Sequence, residues 1–228
     1  MRHIWHLSNI VFAAAVQTAC SNYNLKEKLE NPGGSSGVTE KFSDRLFAFV
    51  TSSVTKGDMQ GLVADNCTGT GMARADCVCQ QLAQNNGRRM NSNSRFVAWL
   101  STTGAPDNTM TCRILGSSGA GCAPAGGFVW YNTNMQPVFS GVSQLLNAAP
   151  NLSALLRFTE TGAQTSAVVV DVWTGTDQQG TANTSNCVNW SDSTNTPLGL
   201  GGRTDLTDFS WTNSATRNCD TFLRVYCF

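Results

Sequence analysis

The residues of this chain best suited to covalent chemistry are nine cysteines: Cys20, Cys67, Cys77, Cys79, Cys112, Cys122, Cys187, Cys219 and Cys227. Thiols can oxidise to disulfides, take a lipid, bind a metal or act as nucleophiles, and the neighbouring residue types decide between these fates. The only histidines, His3 and His6, precede all nine. The rest of the chain therefore offers no Ser/His/Asp triad, no Cys/His dyad and no histidine-based zinc site. Three carboxylates are the remaining candidates for acid–base work. Asp205 and Asp208 share a polar loop, and Asp171 adjoins a strongly apolar run. An acid and base pair needs an apolar pocket to move a pKa, and a Gly-rich loop reads instead as solvated turn. The stretch "GGSSG" follows no strand and is no phosphate loop. The sequence is read as non-catalytic, with no cofactor and no metal site.

An odd number of cysteines is awkward in an exported protein, and the N-terminus looks exported. "MRHIWHLSNIVFAAAVQTAC" carries Arg2, an apolar stretch from Ile10 to Val16, then small residues ending at Cys20. "VQTAC" resembles a lipobox, with Gln17 where small or apolar residues are usual. Cleavage before Cys20 would make that cysteine the acyl-anchored first residue of a bacterial lipoprotein. The alternative is ordinary cleavage near Ala19, leaving Cys20 a free thiol. Lipidation is favoured by the count: removing Cys20 from nine leaves eight cysteines, which can pair completely in an oxidising compartment. Residues 1–19 are thus read as a signal peptide and the location as the outer membrane and cell surface, held by lipid alone. No run of about 18 apolar residues occurs to span a bilayer.

The elements that must position these thiols follow from pattern. Residues 20–41, polar and then Gly/Ser-rich, read as a flexible tether. The domain is expected over 42–228, opening with the strand "RLFAFVTSS". "GMARADCVCQQLAQNNG" reads as a helix with Met72, Ala75, Cys79, Leu82 and Ala83 on one face and Gly87 ending it. "RFVAWLS" reads as a second strand, and "GGFVWYNTNMQPVF" as a hairpin turning at Asn132 to Asn134. "GVSQLLNAAPNLSALLRF" is expected to be partly helical, interrupted at Pro150, and "SAVVVDVWTGT" to be a central strand. Residues 177–210 read as long loops.

The final strand, "FLRVYCF", alternates Leu223, Val225 and Cys227 on one face with Phe222, Arg224 and Tyr226 on the other. An inward first face brings Cys227 to the core, where Cys79 is the cysteine on the apolar helix face. Closing about 150 residues in this way contributes roughly 5 kcal/mol in the chain-entropy account. Cys187 and Cys219 would bracket the long loops, Cys112 and Cys122 a local loop, and Cys67 would meet Cys77, which lies about 200° from Cys79 on the helix wheel. Eight cysteines allow roughly a hundred connectivities, so spacing alone leaves others open.

Formal charge is zero and charged residues make up 13% of the chain, which argues against nucleic acid as a partner. The basic cluster is Arg88, Arg89 and Arg95, just after the first helix. Arginine is favoured in protein interfaces and in contacts with sulfated glycans; the competing reading is a solvated, solubilising loop.

"FAFVTSS", "ADCVCQQLA", "FVAWLST", "VWTGT", "NCVNW" and "RVYCF", in this order, resemble the leptospiral endostatin-like (Len) lipoproteins, across most of residues 42–228. The resemblance implies an α+β, C-type-lectin-like (endostatin-like) domain with a mixed, mainly antiparallel sheet, two helices and long disulfide-stapled loops. It implies a first-helix cysteine bonded to the C-terminal one and a second pair clipping the long loop region. It also implies adhesion and immune evasion: binding of complement factor H, laminin and fibronectin, with heparin-like glycans suggested by analogy. Plasminogen capture would need internal lysines, because the last residue is Phe228. Calcium-dependent sugar binding is the alternative, but "WTN" at Trp211 to Asn213 matches the usual Trp-Asn-Asp triplet only in part, and "NTP" and "QPV" do not supply the Pro-containing one. A structural envelope protein is the third possibility. Trp173, Trp190 and Trp211 are read as packing residues under the loops.

Overall fold

A computed structural model describes residues 45–88, 95–103, 110–115, 129–141, 144, 151–166 and 171–228. The contacts divide the chain at residue 40, and all described residues belong to the later unit. Among them, seven strands form one mixed sheet flanked by helices, an α+β arrangement. The elements are β1 (Leu46–Val50), α1 (Gly71–Asn85), α2 (Met110–Leu115), β2 (Val129–Asn132), β3 (Pro137–Ser140), β4 (Asp171–Trp173), β5 (Leu198–Arg203), β6 (Ala215–Asn218) and β7 (Arg224–Cys227). A left-handed turn at Cys187–Trp190 precedes β5, and a 3-10 turn at Phe209–Trp211 precedes β6.

Strand order is β3-β2-β1-β7-β4-β5-β6, so the last strand of the chain is the middle of the sheet. It pairs antiparallel with β1, through Phe49↔Cys227, and parallel with β4, through Trp173↔Val225. A central strand has two faces to cover, and both are buried here. Val225 and Cys227 join Phe47, Phe49, Trp173, Trp190 and the buried side of α1 in one cluster. Tyr226 and Phe228 join Ala48, Val50, Trp99, Trp130, Val172 and Trp211 in the other. The alternation expected of "FLRVYCF" therefore separates two cores, except at its open end, where Phe222 is exposed.

Helix α1 stops as its sequence directs. Gly87 adopts φ +64, its N–H reaches Gln84 O (3.2 Å) and the Arg88 N–H reaches Ala83 O (2.8 Å), a Schellman ending that a residue without Cβ completes at no steric cost. The hairpin also forms, with Asn132 Oδ1 accepting from the N–H groups of Asn134 and Gln136.

Three expectations need correction. "RFVAWLS" is not a ladder strand. Val97 bonds to Phe228, just past β7, and Trp99 to Tyr226 on β7, but the outward backbone groups are taken by side chains: Ala98 N–H donates to Asp76, Phe96 N–H to Gln80, and Ala98 O and Leu100 O accept from Arg113. Residues 177–210 are not all loop, because β5 runs through them with the sequence "LGLGGR". Glycine is a poor strand former, yet it is required there. A Cβ at Gly199 would lie 2.6 Å from the Trp173 ring, and one at Gly202 would lie 2.6 Å from the Trp211 carbonyl carbon. Finally, "NLSALLRF", after Pro150, is not helical. Leu152 and Leu156 drop into the second core while Leu152 N–H bonds Thr207 O and Ser153 N–H bonds Val138 O. The preceding 145–150, and 167–170 of the expected central strand, lie outside the described residues.

Candidate functional site

Cys79 is bonded to Cys227, tying α1 to the middle strand; Cys187 is bonded to Cys219, closing the segment that contains β5 and β6; Cys67 is bonded to Cys77. Cys112 is also in a disulfide. Cys122, its expected partner, lies outside the described residues, as do Cys20 and Arg89.

The Schellman ending of α1 places Arg88 against β1, an inner strand of the sheet, rather than in open solvent. Its guanidinium lies over the Phe47 ring (5.6 Å) and its Nε donates to Glu160 O (3.3 Å). Arg45 lies over the Tyr131 ring (5.0 Å), and Phe47 and Tyr131 are register partners on β1 and β2. Two guanidinium groups thus cap adjacent aromatic rings, a cation–π arrangement that holds each cation in one orientation. Arg95 is exposed. The sequence pattern marks Arg88 but not Arg45, whose relation to Arg88 depends on the parallel β1–β2 pairing and on no local spacing.

Glu160, whose carbonyl Arg88 reaches, also joins a polar knot. Buried Glu160 accepts from the Ser52 N–H (3.0 Å) and the Ser52 hydroxyl, while Arg224 donates to Thr51 O (2.7 Å) and Ser52 O. Burial lowers the Arg224 pKa, and the Glu160 charge opposes that shift.

The carboxylates singled out by sequence are engaged in structural pairs. Asp171 accepts from Arg217 (2.7 and 3.0 Å). Asp205 takes both Arg203 nitrogens (2.6 and 2.9 Å), and that hydrogen-bonded pairing lowers its pKa. Asp208 caps the 3-10 turn by accepting from Ser210 N–H. Burial raises the Tyr226 phenol pKa well above its usual value, with the Asp205 and Asp171 charges adding to the effect. Among the described residues no group of three or more His, Cys, Asp or Glu side chains is gathered to hold a metal ion. Trp173, Trp190 and Trp211 are fully buried. Trp190 donates to Ser101 O (2.9 Å) and Trp173 to Thr55 O (3.0 Å), so their polar edges are satisfied inside.

The feature that sequence reasoning passes over is the turn inside "NCVNW". Cys187, Val188, Asn189 and Trp190 have φ of 51, 57, 57 and 63°, four successive non-glycine residues in the left-handed region. Each costs about 1–2 kcal/mol relative to right-handed backbone. The turn is held from behind by the Cys187–Cys219 bond, by buried Trp190, and by the Asn186 side chain accepting from Asn189 N–H (2.9 Å). Asn189 Oδ1 in turn accepts from Thr103 N–H (2.9 Å). The two asparagines three apart were the available signal, since asparagine tolerates local side-chain-to-backbone bonding and left-handed φ better than most residues.

No protein-family model matches this chain, and no curated protein matches it. No helix among the described residues is long and apolar enough to cross a membrane.

Proposed function

We propose that this protein is a surface-exposed bacterial lipoprotein, anchored through Cys20, that acts as an adhesin and immune-evasion protein. Its ligands are the host matrix proteins laminin and fibronectin and the complement regulator factor H, bound by a C-type-lectin-like, endostatin-like domain of the Len type. The observation that carries the reading is the disulfide pairing. Cys227 is bonded to Cys79 on α1 and Cys187 to Cys219 across the preceding segment, the two pairs that the resemblance implies. Such a framework suits a binding module: the Cys187–Cys219 bond ties together the ends of the segment that carries β5 and β6, which lowers the ordering entropy that opposes a partner there. Arg45 and Arg88, stacked on adjacent rings of β2 and β1, supply oriented cations for protein or sulfated-glycan contact.

The test is surface plasmon resonance of the oxidised protein against immobilised factor H, laminin and fibronectin, in calcium and then in EDTA. Saturable binding that survives EDTA is expected. Signal confined to a glycan array and abolished by EDTA would replace this reading with a calcium-dependent lectin.

A further inference from the structure

We propose that the Asn86–Gly87 junction at the end of α1 is a covalent modification site, where the chain converts Asn86 to aspartate and isoaspartate with loss of ammonia and so opens the cap that holds Arg88. The inference stands apart from the adhesin reading and needs no partner. In this reaction the backbone nitrogen of the following residue attacks the asparagine side-chain carbonyl carbon, ammonia leaves, and a succinimide ring closes. Water then opens the ring at either carbonyl, so an amide and water become a carboxylate and ammonia with no oxidant or other reagent. A side chain on the following residue obstructs the attack, and glycine removes the obstruction. Asn86–Gly87 is the one Asn–Gly pair in the sequence.

The junction is open to water and leaves room for the ring. Gly87 is exposed, Asn86 is half-buried, and a Cβ built at Gly87 would meet no atom within 4 Å. Gln84 and Asn85 are exposed, the last turn of α1 carries no basic residue to offset the helix dipole, and the N–H bonds of Asn86 to Leu82 O and of Gly87 to Gln84 O are both 3.2 Å long. Such an end frays, which frees the Gly87 nitrogen to attack; the intact cap slows the reaction by holding that N–H and the Asn86 amide on helix carbonyls. The product breaks the cap in two ways. Asn86 Nδ2 donates to Leu82 O (2.9 Å), and a carboxylate in its place has no proton to give and sets negative charge against the negative end of the helix. Isoaspartate also lengthens the backbone by a methylene ahead of Gly87, which draws the Arg88 N–H off Ala83 O, where it sits at 2.8 Å. That bond sets the approach of Arg88 to the Phe47 ring and to Glu160 O, so the modification reaches the oriented cation.

The experiment incubates the oxidised full chain and its N86Q variant in mildly alkaline buffer beside a free peptide of residues 82–90, with peptide mapping by mass, an isoaspartate assay, and thermal unfolding before and after. Asn86 is expected to show the mass gain of amide-to-acid exchange ahead of every other asparagine, more slowly than in the peptide and with isoaspartate present. The modified protein is expected to lose about 2–4 °C in Tm. N86Q closes a larger ring more slowly and keeps an amide donor, so it is expected to hold both its mass and its Tm. Asn86 left intact when the peptide has converted fully, or another asparagine converted first, overturns the inference. Conversion at Asn86 with an unchanged Tm, or a Tm loss that N86Q shares, overturns the opening of the cap.

Discussion

Removing the three described disulfides in turn should destabilise the protein in the order of the loops they close. The bonds Cys79–Cys227, Cys187–Cys219 and Cys67–Cys77 have sequence separations of 148, 32 and 10. Loop-closure entropy grows with the logarithm of length, which gives roughly 5, 4 and 3 kcal/mol for the three. Packing reinforces the order. Cys79 and Cys227 are fully buried in the core between α1 and the sheet, so a double alanine variant there also leaves a cavity, whereas Cys77 is only partly buried. The assay is guanidinium unfolding of each double alanine variant under oxidising conditions, followed by fluorescence of the buried tryptophans. The m-value is fitted separately for each, because a chain freed of a cross-link exposes more surface on unfolding. The expected loss is largest for Cys79/Cys227 and smallest for Cys67/Cys77, with about 2 kcal/mol between them from the entropy difference alone. An equal or greater loss for Cys67/Cys77 would refute the reasoning and show that local strain or residual unfolded structure dominates.

Gly202→Ala should cost more than about 3 kcal/mol, because its Cβ would lie 2.6 Å from the Trp211 carbonyl carbon and 2.9 Å from Thr212 Cα, both backbone atoms; thermal unfolding checks it. Asp76→Ala removes the carboxylate partner of buried Arg113 and the acceptor for Ala98 N–H, and should cost about 3 kcal/mol in guanidinium unfolding, with Arg113→Met less damaging than the carboxylate loss. The Asp205 pKa lies below its ordinary value when folded, so its pairing with Arg203 contributes fully above about pH 5 and is lost as pH falls through the folded pKa. Asp205→Asn should therefore flatten the acid limb of the stability–pH curve slightly, the effect being small because the pair is solvent-exposed.

The parts of this fold that can be read along the chain are those set by local chemistry. The α1 face carrying Cys79, the glycine that ends the helix, the β2–β3 hairpin and the alternation of the last strand all follow from periodicity and turn residues. The elements that escape such reading are decided by distant partners. The β5 glycines are strand residues because Trp173 and Trp211 press on them, and residues 95–101 leave the ladder because α1 and α2 side chains take their backbone groups. The neighbouring Arg45–Tyr131 and Arg88–Phe47 stacks depend on the β1–β2 register. The left-handed turn at Val188 contradicts local preference outright and exists only because its ends are bolted to Cys219, Ser101 and Thr103.

The central claim is that a disulfide-framed surface binds host proteins specifically. The direct test is one equilibrium titration of the oxidised protein, and of the same protein reduced and alkylated, over immobilised laminin, fibronectin and factor H. The account predicts a saturable isotherm with the oxidised protein on at least one ligand and its loss on reduction. No saturable binding by the oxidised protein, or an isotherm unchanged after the framework is opened, would contradict it.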